Sequence, residues 1–313
     1  MPRYVLHIAN KNYSSWSLRA WLVMRQVLSR GDDGGGDGVP FTEKLWPMAS
    51  GSMAQPRWRA FSPVAHVPCL HVFLAGEPDA AAAAPGVTAT AAATAAAGSG
   101  SGSGAGAGSG NGERSSSQWE PGRGEEGEGS GAGEDGRPLV LWESLAIVEF
   151  LAEEHPAARV YPADRAARAW ARSAVAEMHA GFAAVRREMG MNVGVRIALA
   201  EEAFTDALVA DLRRLDELWS EGLSRFGGPF LAGAEFTAVD AFYAPVVLRL
   251  QTYVGTLDRM GEAARGYVER MLQVEGVREW VDAALKETWR EPVHEAECLE
   301  GKGRTLIADL RAA

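Results

Sequence analysis

Hydrophobic and polar residues follow two different periods along this chain, and the change between them divides it. Near the start, Tyr4-Val5-Leu6-His7-Ile8 is an almost unbroken apolar run bounded by Asn10-Lys11-Asn12, the pattern of a short buried strand. Apolar residues then recur at three- and four-residue steps: Trp16, Ala20, Val23 and Val27, with Leu18, Trp21 and Leu22 beside them. This spacing predicts a helix running to about Val27 and packed on more than one side. Gly31 to Gly38 is too glycine-rich and polar for a core, and predicts a loop insertion. Val39 to Trp46 alternates as a second strand would, Gln55 to Phe61 predicts a short helix or turn, and the second half of Ser62 to Leu74 predicts a third strand opening at a proline. Leu139 to Trp142 predicts a fourth strand, and Ser144 to Glu154 a helix with Ser144 as its N-cap.

Beyond a linker at His155 to Ala163, with Pro156 and Pro162, the period is helical throughout. Asp164 is placed to cap a long helix carrying Met178, Phe182, Val185 and Met189 on one stripe, and Phe204, Leu208, Leu212, Leu215, Trp219 and Phe226 mark the next helix. After the glycine-rich turn Gly227 to Gly233, Thr237 and Asp240 stand at capping-box spacing. The helix they open has Val239, Phe242, Tyr243, Val246, Val247 and Leu250 on its core face, and Pro245 inside it predicts a kink. Further helices are predicted at Met260 to Met271 and Val277 to Lys286, while the tail beyond Trp289 is ambiguous.

Composition changes this picture in one place. From Gly76 to about Pro138 the chain falls to Ala, Gly, Ser and Glu, with few side chains able to offset an ordering entropy of roughly 1–2 kcal/mol per residue. A disordered insert is predicted there, carried as an overgrown hairpin loop, since loop closure costs little more as length grows. The rest of the 313 residues, 47% hydrophobic overall, suffices for two domains. A formal net charge of -10 argues against a general nucleic-acid binder or a protein of anionic membrane surfaces, and favours small molecules or proteins as partners. Cys69 and Cys298 are too few and too far apart for a disulfide framework or metal site, and Cys69 reads as a small buried apolar residue. With no signal-like start and no stretch reaching the ~18 apolar residues of a membrane span, a soluble, cytoplasmic protein is expected.

The chemistry concentrates where the first strand turns into the first helix, at Asn12-Tyr13-Ser14-Ser15-Trp16-Ser17-Leu18-Arg19. A helix start leaves amide groups unpaired and carries about half a positive charge, so it draws anions. The hydroxyls of Ser14, Ser15 and Ser17 are able to donate to a thiolate or oxyanion held there.

These residues, with Val67-Pro68 before the third strand, Glu143-Ser144 opening the last helix of the first half, and Thr237-x-x-Asp240 after Phe230-Leu231-Ala232-Gly233, resemble the soluble glutathione transferases. The serine-rich segment is most similar to the zeta-type and related bacterial-type members. The resemblance implies a thioredoxin-like α/β N-terminal domain at 1–155 interrupted by the insert, an all-α helical-bundle domain at 164–290, and a tail at 291–313. It also implies glutathione as co-substrate with no metal, a small electrophile, a homodimer, and a detoxification role without nucleic acid or membrane partners. By the same resemblance Ser14 holds the glutathione sulfur, with Ser15 and Ser17 in reserve because a one-residue shift of the helix start changes which hydroxyl faces it. A thiol of pKa ~8.5 falls by one or more units in such a place. Val67 and Pro68, at the family's cis-proline site, would meet the cysteinyl main chain, His66 the glycyl carboxylate, and Glu143 and Ser144 the γ-glutamyl group. Each has a plainer reading as an ordinary cap, a trans proline or a solvated histidine.

Arg172, His179 and Arg186 recur every seven residues, and His179, Phe182 and Asn192 are the candidates for the second-substrate pocket; a solvated polar face explains the stripe as well. Asp240 reads as structural. Zeta-type sequences carry cysteine where this chain has Trp16, which counts against a maleylacetoacetate-type cis-trans isomerase in particular. The reading is a transferase, with that isomerase or a non-catalytic docking module as alternatives.

Overall fold

The computed structural model describes residues 2–30, 38–48, 56–74 and 137–311; the expected loop at 31–38, all but its last residue, and the low-complexity insert, all but its last two residues, lie outside the described residues. The first half is a four-stranded sheet of β1 (Arg3–Ile8), β2 (Phe41–Leu45), β3 (Cys69–Phe73) and β4 (Leu139–Trp142), in the order β2-β1-β3-β4. β1 is central, parallel to β2 and antiparallel to β3, and five of its six residues are buried, which is why its sequence is a run and not an alternation. α1 (Ser15–Leu22) continues through a π-turn at Val23–Val27 and a 3-10 turn at Leu28–Arg30, and α2 (Ser144–Glu154) follows β4. The N-cap of α2 is Glu143 and not Ser144, which is the first helical residue.

The second half begins with α3 (Arg165–Ala180), where the Asp164 carboxylate accepts the Ala167 amide at 2.8 Å as a cap. The long helix expected to carry Phe182 and Met189 is broken. Gly181 is extended and Phe182 is left-handed at φ 54°, and a separate α4 (Ala183–Glu188) starts there. The carboxylate of Asp211 on α5 (Asp206–Phe226) accepts the Ala184 and Val185 amides at 2.9 and 3.1 Å, so a tertiary cap invisible to periodicity fixes the second start.

α6 (Ala238–Thr252) is buried along almost its whole length and runs through Pro245 without interruption. Its Asp240 accepts hydrogen bonds from the Thr237 amide at 2.9 Å, the Leu231 amide at 3.0 Å and the Tyr267 hydroxyl at 3.0 Å. α7 (Glu262–Met271) and α8 (Glu275–Lys286) follow as expected.

Four further elements went unread. Val195–Leu199 is a strand, β5, pairing parallel with β6 (Tyr253–Val254) and antiparallel with β7 (Arg304–Asp309), so the helical half also carries a three-stranded sheet. The ambiguous tail supplies β7 and α9 (Pro292–Leu299). α1 packs against both α2 and α6, and one apolar core runs from Tyr4, Leu6 and Ile8 through Trp21 to Phe242 and Trp280. No helix among the described residues is long and apolar enough to cross a membrane.

Candidate functional site

The β1–α1 corner is built by residues far away in the chain. The Glu287 carboxylate accepts the Lys11 and Asn12 amides at 2.7 and 3.1 Å, and Trp280 donates its indole N–H to the Lys11 carbonyl at 2.9 Å. The Asn12 side chain accepts the Gly194 amide at 2.8 Å and donates to Asn192 at 3.0 Å, while its carbonyl accepts the Val193 amide at 3.1 Å. Burial raises the Glu287 carboxyl to about 7 against the pull of those amides and of Lys11. The end of α8 and the approach to β5 thus hold the corner from which α1 starts.

At that start Ser14 is the N-cap. Its Oγ accepts the Ser17 amide at 3.3 Å and donates to Ser17 Oγ at 2.7 Å, and Ser17 Oγ also accepts the Ala9 amide at 3.3 Å. Ser17 is fully buried and does not line the cavity described next; its hydroxyl takes part in the helix start. Ser15 Oγ accepts from Arg249 Nη2 at 3.4 Å.

Above this corner lies a cavity of about 490 Å³. Ser14 and Ser15 line it from α1, His66, Val67 and Pro68 from the approach to β3, and Glu143 and Ser144 from the start of α2. The Val67–Pro68 peptide is cis. Glu143 is held at φ 69°, a backbone region that a non-glycine residue occupies only under constraint. Beside it, Ser144 Oγ is buried and has no hydrogen-bond partner among the described residues. A buried hydroxyl left without a partner costs free energy, and here it faces a cavity at the N-terminus of an eleven-residue helix. Two helix N-termini therefore open on one space, each with an anion-attracting partial charge.

The opposite wall comes from the helical half. Arg186, Met191 and Arg249 line it, as do His294 and Glu297 of α9. Arg249 is 6% exposed, and burial lowers its guanidinium to about 10; Arg19, beneath, is lowered to about 9 by burial and by Arg186 and Arg249. The Arg19 guanidinium lies 4.2 Å from the centre of the Trp16 ring and Arg186 lies 5.8 Å from it. Among the described residues none of these three arginines has a carboxylate within ion-pair distance, and no group of side chains could hold a metal ion.

None of the candidates from the helical half lines the cavity. His179 stands behind Trp16, its ring edge-on at 5.3 Å, with its pKa lowered by burial and by Arg19. Phe182 is buried in the core, its ring edge to face with Tyr243 at 6.2 Å. Asn192 is buried in the corner clamp, joined to Asn12 and, at 3.3 Å, to Glu295. The residues that do form that wall had two legible signals: Arg186 stands in the seven-residue stripe with Arg172 and His179, and Arg249 is the single charge between Val239 and Thr252 other than Asp240. A charge on an otherwise apolar helix has to have an employment. His294 and Glu297 had no signal, since the tail carried no pattern.

No protein-family model matches this sequence, and no curated protein matches it. In structure, the chain is similar to glutathione transferase Omega 2S from Trametes versicolor, with 16% identity and a TM-score of 0.51 over 91% of this chain and 95% of that one. The same enzyme in complex with 2,4-dihydroxybenzophenone gives 15% identity and 0.50, over 91% and 95%. Ure2p in complex with S-hexylglutathione gives 13% identity and 0.50, over 89% and 97%. With its mixed four-stranded sheet, its helical second half and a likeness that spans nine-tenths of its length, this chain has the glutathione transferase fold.

Proposed function

We propose that this chain is a glutathione transferase. It would bind the tripeptide in the cavity between the two helix N-termini and add its thiolate to a small electrophile held against the helical half. The observation that carries the reading is convergence: Ser14 and Ser15, His66 to Pro68, and Glu143 and Ser144, from three separate segments, share one cavity of about 490 Å³. That volume falls in the roughly 300–1,000 Å³ range of small-ligand sites.

The chemistry of each group suits a part of glutathione. The unpartnered Ser144 hydroxyl and the first amides of α2 would receive the γ-glutamyl carboxylate, with Glu143 close enough to meet its ammonium. Val67 and Pro68 would meet the cysteinyl main chain, and His66, exposed at the rim, the glycyl carboxylate. The sulfur would then rest at the start of α1, where the helix charge and the serine hydroxyls favour the thiolate. The thiol proton leaves to solvent, the sulfur keeps the electron pair and forms a bond to the electrophilic carbon, and the leaving group departs with its own pair. The rate gain comes from thiolate stabilisation and proximity.

Retention on immobilised glutathione, followed by conjugation of a chloronitroaromatic electrophile, tests the reading. Specific retention with turnover that falls at least tenfold when Glu143 and Ser144 are both replaced by alanine supports it. Retention without turnover across several electrophiles would make the chain a glutathione-binding docking module. Absence of retention would overturn the proposal.

A further inference from the structure

The protons at the start of α1 are unequally committed. Ser14 Oγ is paired with Ser17 Oγ at 2.7 Å and accepts the Ser17 amide at 3.3 Å, so its hydroxyl is engaged within the helix start. Ser15 differs: its oxygen accepts from Arg249 Nη2 at 3.4 Å, its own hydrogen has no acceptor among the described residues, and it lines the cavity. Arg249 reaches this point from α6 in the other half of the molecule, giving its remaining hydrogen bonds to the Met189 carbonyl and, at 3.5 Å, the Arg186 carbonyl. Arg19 and Arg186 stand near it with the same charge. The ionisable groups of opposite tendency around it are Tyr253, Cys298 and the exposed Glu297. A buried cationic group without a bonded carboxylate is costly unless an anion completes it.

We infer that Ser15, and not the capping Ser14, donates the hydrogen bond to the glutathione thiolate, and that Arg249 is a positioning residue that orients and polarises Ser15 from the helical half. This rests on the proposed binding of glutathione in the cavity. A cation donating to a hydroxyl oxygen strengthens that hydroxyl as a donor, and a fixed positive charge nearby favours the thiolate over the thiol. Ser15 keeps its proton throughout; the proton lost is that of the thiol, released to solvent, while the sulfur keeps the electron pair. Ser14 then has a distinct task, closing the helix start on Ser17.

Ultraviolet absorbance of the thiolate, followed from about pH 5 to about pH 9 on the full chain saturated with glutathione, reads the bound thiol's pKa directly. The wild type is expected to titrate well below free glutathione. Ser15→Ala and Arg249→Met should each raise that pKa by about one unit or more, with the double variant shifting it no further than the larger single, and Arg249→Lys should recover part of the shift. Ser14→Ala should lower Tm and move the thiol less than Ser15→Ala does. Because Arg249→Met also removes donors to Met189 and Arg186, it risks misfolding; Ser15→Ala deletes one oxygen and keeps the test intact. Bound glutathione whose pKa moves with Ser14→Ala but not with Ser15→Ala would overturn the inference and leave glutathione binding standing. Failure of calorimetry to detect glutathione binding by the wild type would overturn both.

Discussion

The starts of α1 and α6 are the same local device put to different uses. Each has a hydroxyl residue at the cap and a partner three residues on, Ser14 with Ser17 and Thr237 with Asp240. At α6 every group in the device ends on protein: Asp240 is fully buried and accepts from Thr237, Leu231 and Tyr267. At α1 the account closes on Ser17 and stays open at Ser15, which faces a cavity shared with a second helix start. A cap that is completely satisfied keeps a fold together, whereas one left with a donor facing a cavity is available to a ligand.

Substitutions should separate the two. The largest effect is expected from Asp240→Ala, which strands two buried amides and a buried hydroxyl. It should cost about 3 kcal/mol or more in urea unfolding, and a cost no greater than that of Ser14→Ala would erase the contrast. Next comes pH. Burial holds the Asp240 carboxyl at about 6 and Glu287 at about 7, both above their unfolded values. A raised carboxyl contributes stability that is fully present below the unfolded pKa and is lost as pH rises through the folded one. The loss due to Asp240 is therefore complete first, and that due to Glu287, beside Lys11 and Glu43, continues through about pH 7. Between about pH 6.5 and 8 the wild type should lose on the order of 1 kcal/mol, and Glu287→Gln should flatten that slope. Ser14→Ala, a lost cap, should cost about 1 kcal/mol. Ser144→Ala should keep or slightly raise Tm, because it removes a buried hydroxyl with no protein partner, while weakening glutathione roughly three- to tenfold.

The sequence carried the cavity's sheet-side wall better than its helical wall, for a physical reason. Ser14, Ser15, Val67, Pro68, Glu143 and Ser144 sit at element boundaries, where a turn or a helix start is written in two or three adjacent residues. The same locality explains why the four strands, Asp164 and the Thr237–Asp240 cap were legible. The helical wall depends on events without local spelling. The helix start after Phe182 is capped by Asp211 on another helix, and Phe182 itself is buried in the core. Asn192 looked like a pocket residue and serves as a clamp on Asn12, 180 positions earlier. β5 and β7 are short strands far apart in the sequence that pair with each other, and α9, which packs against β7, supplies His294 and Glu297 to the cavity. Ser144 was displaced by one position from the expected cap, which is the ordinary uncertainty of a helix end.

The most direct test of the central claim, an anionic sulfur at the start of α1, is the proton balance of binding. Calorimetric titration at about pH 7 in buffers of different ionisation enthalpy counts the protons released when ligand binds. Glutathione is predicted to release about one proton per site and S-methylglutathione, which has no thiol to ionise, none. Equal proton release by the two ligands would contradict the account.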